Sequence, residues 1–450
     1  MKKIITIFLV AVLIVSFSIF GIGCKAGTET AATETAATTT AKVTEEAKPV
    51  TIKIWDWQVM ENYMAAFKEI IGLYEKAHPN VTIERKTYAE GEFQKQIKAA
   101  LSGNEAPDLF QIKGGLQTTE YYKSGILYDF TDDWNADPEW QKMLDVFNPK
   151  ASHCVIDGKL IKIAFIDEWI HAMYYYKDML PKYGFKKPET IKDLIALAPI
   201  LNNNNIIPTL IGFGSNSISW NLPPLLNELM MQKLGPDVVL KLDSGEISWE
   251  DPIVKESFTA FKDMFEGKVF AKDVNSIEYF PDVIARFQNK EAWSFFPAGD
   301  WTIGSMNKED VANDNIGVMP IPKLSTDSKT GYASMVAIAY GMLKDDPNKD
   351  VIIDIAKFFL SKEAAEILVK NNIHPASNLA ADISIENNLM KAVIKESTNP
   401  DYFYSPYQLS RNSDIGNRLV EDLGKFINKI MTIDEVCADM EQFTNKLLGK

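Results

Sequence analysis

Tryptophan recurs in this sequence beside carboxylates, amides and glycine, at points where apolar runs give out. The stretches are Trp55-Asp56-Trp57-Gln58, Asp167-Glu168-Trp169, Ser219-Trp220-Asn221 and Gly299-Asp300-Trp301. Indole faces pack on the C–H faces of sugar rings, and carboxylates and amides bond hydroxyls in pairs, so the mixture is the chemistry of a carbohydrate site. Taken singly, each tryptophan fits a core better than a site, because aromatic side chains dominate interiors. Trp55, read in phase with Ile52 and Ile54 near the strand end, is expected in the core or at the strand edge. Trp57 and Gln58 stand past the end of the same strand, where α/β sheets bind ligands. In the stretch WSFFPAGDW, residues 293–301, an apolar run stops at a proline and leaves Asp300 beside Trp301. Gly299 there permits close approach of the backbone.

Other chemistries lack their residues. The sequence has no Gly-x-x-x-x-Gly-Lys-Ser/Thr stretch for nucleotide hydrolysis, and GFGSNS at 212–217 lacks the third glycine of a dinucleotide fingerprint and reads as a turn. His78, His153, His171 and His374 form no i,i+4 pair, which argues against a zinc hydrolase, and no metal or cofactor is expected. There is no Gly-x-Ser-x-Gly elbow. Carboxylates are plentiful and a glycosidase needs only two, so a secreted glycoside hydrolase stays open as the alternative. With 61 Asp and Glu against 47 Lys and Arg, the net charge of -14 repels phosphate backbones and argues against nucleic acid as a partner.

The elements that position these residues are of α/β type. A chain of 450 residues holds about two or three domains. Met1-Lys2-Lys3, the apolar run Ile4 to Phe20 and Gly21-Ile22-Gly23-Cys24 have the order of a secretory leader. Ending on a cysteine resembles a bacterial lipoprotein signal, in which residues 1–23 are removed and Cys24 carries lipid. An uncleaved membrane anchor of about 17–20 residues is the other reading. Residues 24–48 are nearly all Thr, Ala and Glu and are expected to be a disordered tether. Cys154 and Cys437 are left as one bridge or two buried thiols.

From residue 50 a strand (50–55), a helix (62–77) and a strand (80–89) make a βαβ unit, implying a right-handed crossover in a largely parallel sheet. A helix near 92–102, a buried strand at 108–112 and a helix near 116–124 continue it. A second α/β region follows about residue 165, with helices near 189–201, 222–234 and 252–266. Segments 316–322 and 333–339 read as late strands, and helices at 348–370 and 415–448 finish the chain.

The segments TIKIWDW, IGLYEKAHPNVTIE, IKAALSGNEAPDLFQI, YKSGILYDFTD, MYYYKDMLPKYGFKKPETIKDL, FFPAGDW, IGVMPIPK and NNIHPASN follow one another along residues 50–450. In that order they resemble the extracellular solute-binding proteins, family 1, the sugar-binding lipoprotein components of ABC importers. The resemblance implies an α/β fold of the type II periplasmic-binding-protein kind, two lobes joined by hinge strands around a central ligand cleft. One lobe would be 50–166 with 320–373 and the other 167–319 with 374–450. Implied ligand contacts are Trp57, Gln58 and Glu61 in the first strand–helix loop, and Asp108, Gln111 and Lys113 around the next strand, with Asp108 equally suited to capping or bracing a loop. Glu168 and Trp169 would follow the first crossing. Trp220, Gly299, Asp300 and Trp301 would line the far lobe, with Trp301 stacked on a sugar ring, and Arg411 would close the site from a late loop. The implied protein is a monomer without catalytic residues, anchored outside the cell membrane through Cys24. It would bind a small carbohydrate, or in a near relative's manner a peptide or phosphate. Ligand bonded to both lobes would favour the closed form, which docks on an ABC permease.

Overall fold

The structure is a computed structural model that describes residues 48–112, 116–144, 154–166, 169–214, 217–335, 338–397, 399–405, 410 and 412–450. Its strands are β1 Val50–Asp56, β2 Val81–Thr87, β3 Leu109–Gln111, β4 Val155–Ile156, β5 Lys159–Leu160, β6 Ile163–Ile166 and β7 Trp169–Ile170. They continue as β8 Ala172–Tyr176, β9 Ile207–Leu210, β10 Ala292–Ala298, β11 Ile316–Met319, β12 Gly331–Met335, β13 Ile338–Met342 and β14 Phe403–Ser405. A five-stranded sheet has the order β2-β1-β3-β13-β6 and a four-stranded sheet the order β11-β8-β10-β9. A three-stranded sheet, β14-β12-β7, and the β4–β5 hairpin complete the pairing.

β1 lies parallel to β2, with Val50 opposite Val81, and parallel to β3, with Ile54 opposite Leu109. β13 runs antiparallel to β3 and β6, so the sheet that starts as parallel βαβ units is closed by a returning strand. Helix Glu61–Ala77 covers it because Tyr63, Ala66, Phe67, Ile70 and Tyr74 recur at helical spacing on one stripe, all of them buried. Helices Lys349–Phe359 and Lys362–Lys370 add Ile355, Phe359, Ala364 and Leu368 to the same core. The second core surrounds helix Ile218–Leu234, buried continuously from Asn221 to Gln232, which accounts for a sequence apolar on every side. Helices Ser413–Ile427 and Ile433–Leu447 pack around it.

The chain passes between cores where one apolar run serves two sheets. β6 and β7 belong to different sheets, and so do β12 and β13. Residues 333–339, which read as one strand, are therefore the end of β12 and the start of β13. Packing in the two cores does not follow chain order. Ile321, Tyr332 and Ala333 pack in the second core because β12 pairs with β14 and β7, whereas Ala376 packs against the first core and its N–H bonds the carbonyl of Phe165. Trp55 lies on the face of β1 opposite Ile52 and Ile54, its ring 5.4 Å from Tyr88. Cys154 and Cys437 are buried in different cores and are not bonded to each other. No helix among the described residues is long and apolar enough to cross a membrane.

Candidate functional site

The loop after β1 is fixed by a buried carboxylate. Asp56 is 0% exposed and takes both Nε and Nη2 of Arg85, at 2.6 and 2.8 Å, and the Tyr340 hydroxyl at 3.1 Å. Burial first, and then the charge of Asp56, push the Tyr340 hydroxyl well above its ordinary range. The Gln58 N–H bonds Asp56 at 3.0 Å and Arg85 reaches the Gln58 carbonyl at 3.2 Å. The Gln111 side-chain oxygen accepts from the backbone of Trp57 and the amide of Gln58, both at 3.2 Å. Trp57 packs on Phe93 with centroids 5.0 Å apart. Thus Trp57, Gln58 and Gln111 come together at the carboxyl ends of β1 and β3, where parallel strands place ligands. Asp56 was legible in one respect only: it continues the buried phase of Ile52 and Ile54.

Asp108 does not join them. It sits before β3, at the opposite end of that strand from Gln111, and accepts the Lys53 N–H at 2.6 Å. Asp346 lies against it, and burial together with this neighbour pushes the Asp346 carboxyl up to about 6. Asp108 braces β1 to β3. Cys24, Lys113, Glu168 and Arg411 lie outside the described residues, as does the side chain of Trp169, whose backbone forms β7.

In the second lobe, Gly299 precedes the short helix Asp300–Ile303. A Cβ on Gly299 would fall 2.1 Å from the Trp301 ring and 2.6 Å from the Ile170 carbonyl, so the indole folds back over the glycine. Trp301 is 3% exposed and hydrogen-bonds the hydroxyl of Tyr279, which itself donates to the Pro297 carbonyl. Asp300 is buried, with Oδ1 accepting the Trp301 N–H at 3.0 Å. Burial, then its charge, hold the Tyr174 hydroxyl well above the ordinary value. The Tyr279 ring continues the aromatic array to Trp220 at 4.6 Å and Phe280 at 4.7 Å. Trp220 lies in the first turn of helix Ile218–Leu234.

Phe280, 46% exposed, had no signal in the sequence beyond an apolar residue before a proline. It lines a cavity of about 380 Å³ that takes Met60, Glu61 and Asn62 from the first lobe and Ile284, Gln288 and Gly304 from the second. The lobes touch at its floor: a Cβ on Gly304 would stand 2.8 Å from the Asn62 amide nitrogen. Trp301 lies one aromatic layer behind this wall. Among the described residues no cluster of histidine, cysteine and carboxylate side chains could hold a metal.

The sequence is 27% identical over 369 residues to an uncharacterized ABC transporter extracellular-binding protein of Pyrococcus horikoshii, covering 80% of this chain and 79% of that one. It is 21% identical over 355 residues to the melibiose/raffinose/stachyose-binding protein of Bacillus subtilis, covering 77% and 79%. A solved structure of a chitin oligosaccharide binding protein shares the fold, with a TM-score of 0.77 at 19% identity over 89% of this chain and 100% of that one. The two-lobe α/β architecture is common to these structures. A sequence profile of bacterial extracellular solute-binding proteins matches residues 57–366, most of the folded body, and the chain belongs to that family.

Proposed function

We propose that this protein is an extracytoplasmic carbohydrate receptor that closes two lobes on a sugar or oligosaccharide and delivers it to an ABC permease, without catalysing a reaction. The observation that carries the reading is the cavity with walls from both lobes, lined by Phe280 on one side of the chain's fold and by Glu61 and Asn62 on the other. An aromatic face opposite hydrogen-bonding groups complements a sugar's C–H face and hydroxyls. The sugars in the names of the relatives support the ligand class. Trp57, Glu61, Trp220 and Phe280 form the contact surface in this reading, with the buried Gln58 and Gln111 holding the first loop and Gly299, Asp300 and Trp301 supporting the far wall from behind. Lys113, Glu168, Trp169 and Arg411 remain candidate contacts, and Asp108 a brace.

In the same reading the first lobe comprises residues 50–166 with 338–380, the second comprises 169–335 with 385–450, and lipid on Cys24 tethers the monomer through residues 24–48. Calorimetry and thermal melting with raffinose, stachyose, chito- and xylo-oligosaccharides test the ligand. Saturation at 100 times the dissociation constant adds about 2.7 kcal/mol of stability to the native state. No rise in melting temperature with any mono- or oligosaccharide would remove the carbohydrate, and turnover of a chromogenic glycoside would replace the receptor with a hydrolase.

A further inference from the structure

The second core contains a histidine and a glutamate that the proposed receptor does not use. His171, between β7 and β8, is 0% exposed and Glu228, in helix Ile218–Leu234, is 1% exposed, with Nδ1 and Oε1 3.8 Å apart. Both are fastened to β12 at one residue: the His171 N–H donates to the Ala333 carbonyl at 2.9 Å, and Glu228 Oε1 accepts the Ala333 N–H at 3.3 Å. Both ring nitrogens of His171 and Oε2 of Glu228 have no hydrogen-bond partner among the described residues. The imidazole lies 5.8 Å from the Trp301 ring and 6.0 Å from Phe296.

We infer that His171 and Glu228 hold a single proton between them as a net-neutral buried pair, making the layer behind Trp301 sensitive to proton count. With no proton the pair is a buried carboxylate, and with two it is a buried imidazolium. Either leaves an unpaired charge in a medium that solvates it poorly. With one proton the net charge is zero, whichever atom carries it. Burial alone lowers the His171 value to about 3. It also holds Glu228 well above the carboxylate range, opposed by the Ala333 N–H. The neighbouring elements bring Tyr332 on β12, kept neutral by burial and bonded to Glu396 at 2.6 Å, and Asp300 beside Tyr174 on β8.

The pair's pH dependence follows from the ordinary values, 6.5 for histidine and 4.5 for glutamate. Glu228, raised in the fold, contributes stability that is complete below 4.5 and is lost as pH rises toward its folded value. His171, lowered in the fold, contributes stability that is complete above 6.5 and is lost as pH falls toward about 3. Between 4.5 and 6.5 the unfolded pair also carries one proton, so the two effects cancel and the pair leaves stability flat.

Urea unfolding of the purified chain from about pH 5 to 8.5 tests this with Glu228→Gln and His171→Leu. Relative to wild type, Glu228→Gln should gain stability as pH rises, approaching about tenfold in the unfolding constant per pH unit. His171→Leu should gain as pH falls below 6.5, with the same limiting slope. Parallel curves for all three proteins would overturn the shared proton. Should a variant fail to fold, NMR of the wild-type His171 ring decides: constant shifts are expected from about pH 5 to 8, and a midpoint near 6.5 would sink the proposal. Neither readout involves ligand, so this inference and the carbohydrate reading fail independently.

Discussion

Gly299 is glycine because Trp301 fills the space a side chain would need. Gly299→Ala must move the indole or the Ile170 carbonyl, at a loss of about 1–3 kcal/mol in urea unfolding. Trp301→Ala should be costlier still, about 3–5 kcal/mol, because its ring is buried against Tyr279 and His171. Phe280→Ala should behave oppositely. Its ring is half in solvent, so the melting temperature should hardly move, while calorimetric affinity for an oligosaccharide falls by about 1–3 kcal/mol, the value of one stacked ring. An unchanged affinity would take Phe280 out of the site. Residue types in the sequence pointed to aromatic chemistry, but a one-dimensional pattern does not distinguish Trp301, which supports the wall, from Phe280, which is the wall.

The loop that presents Trp57 and Gln58 depends on the Asp56–Arg85 pair joining β1 to β2. Arg85→Met leaves the Asp56 carboxylate buried without its cation and should cost about 3–5 kcal/mol in denaturant unfolding, whereas adding Asp56→Asn should recover part of the loss. Additive losses would mean that the two side chains act separately. The strands and helices of this lobe were legible because their spacing follows burial: Tyr63, Ala66, Phe67, Ile70 and Tyr74 mark one helical stripe. Residues 333–339 were not, because β12 and β13 are both largely apolar and follow closely along the chain, so the sequence pattern continues although the two strands belong to different sheets. Asp108 stayed open between two roles for a related reason. A carboxylate before a strand looks the same whether it bonds ligand or braces a neighbouring strand, as its bond from the Lys53 N–H does.

Across the whole molecule, Gly304 of one lobe abuts Asn62 of the other, a meeting of distant segments that no local pattern encodes. Gly304→Leu should wedge the lobes apart, lowering ligand affinity and enlarging the scattering radius, while stability without ligand stays within about 0.5 kcal/mol. Retained affinity would show that closure does not pass through this contact. The sheet order carries a consequence for biosynthesis. Among the described strands β6 pairs in the five-stranded sheet with β13, and β13 follows β7 to β12 in the chain. While the nascent chain emerges from its amino end, β6 must wait as an unpaired apolar segment until residues 338–342 are made. Neither the ribosome nor a genetic truncation can therefore deliver the first lobe by itself, and the order of translation is not the order in which the sheets close.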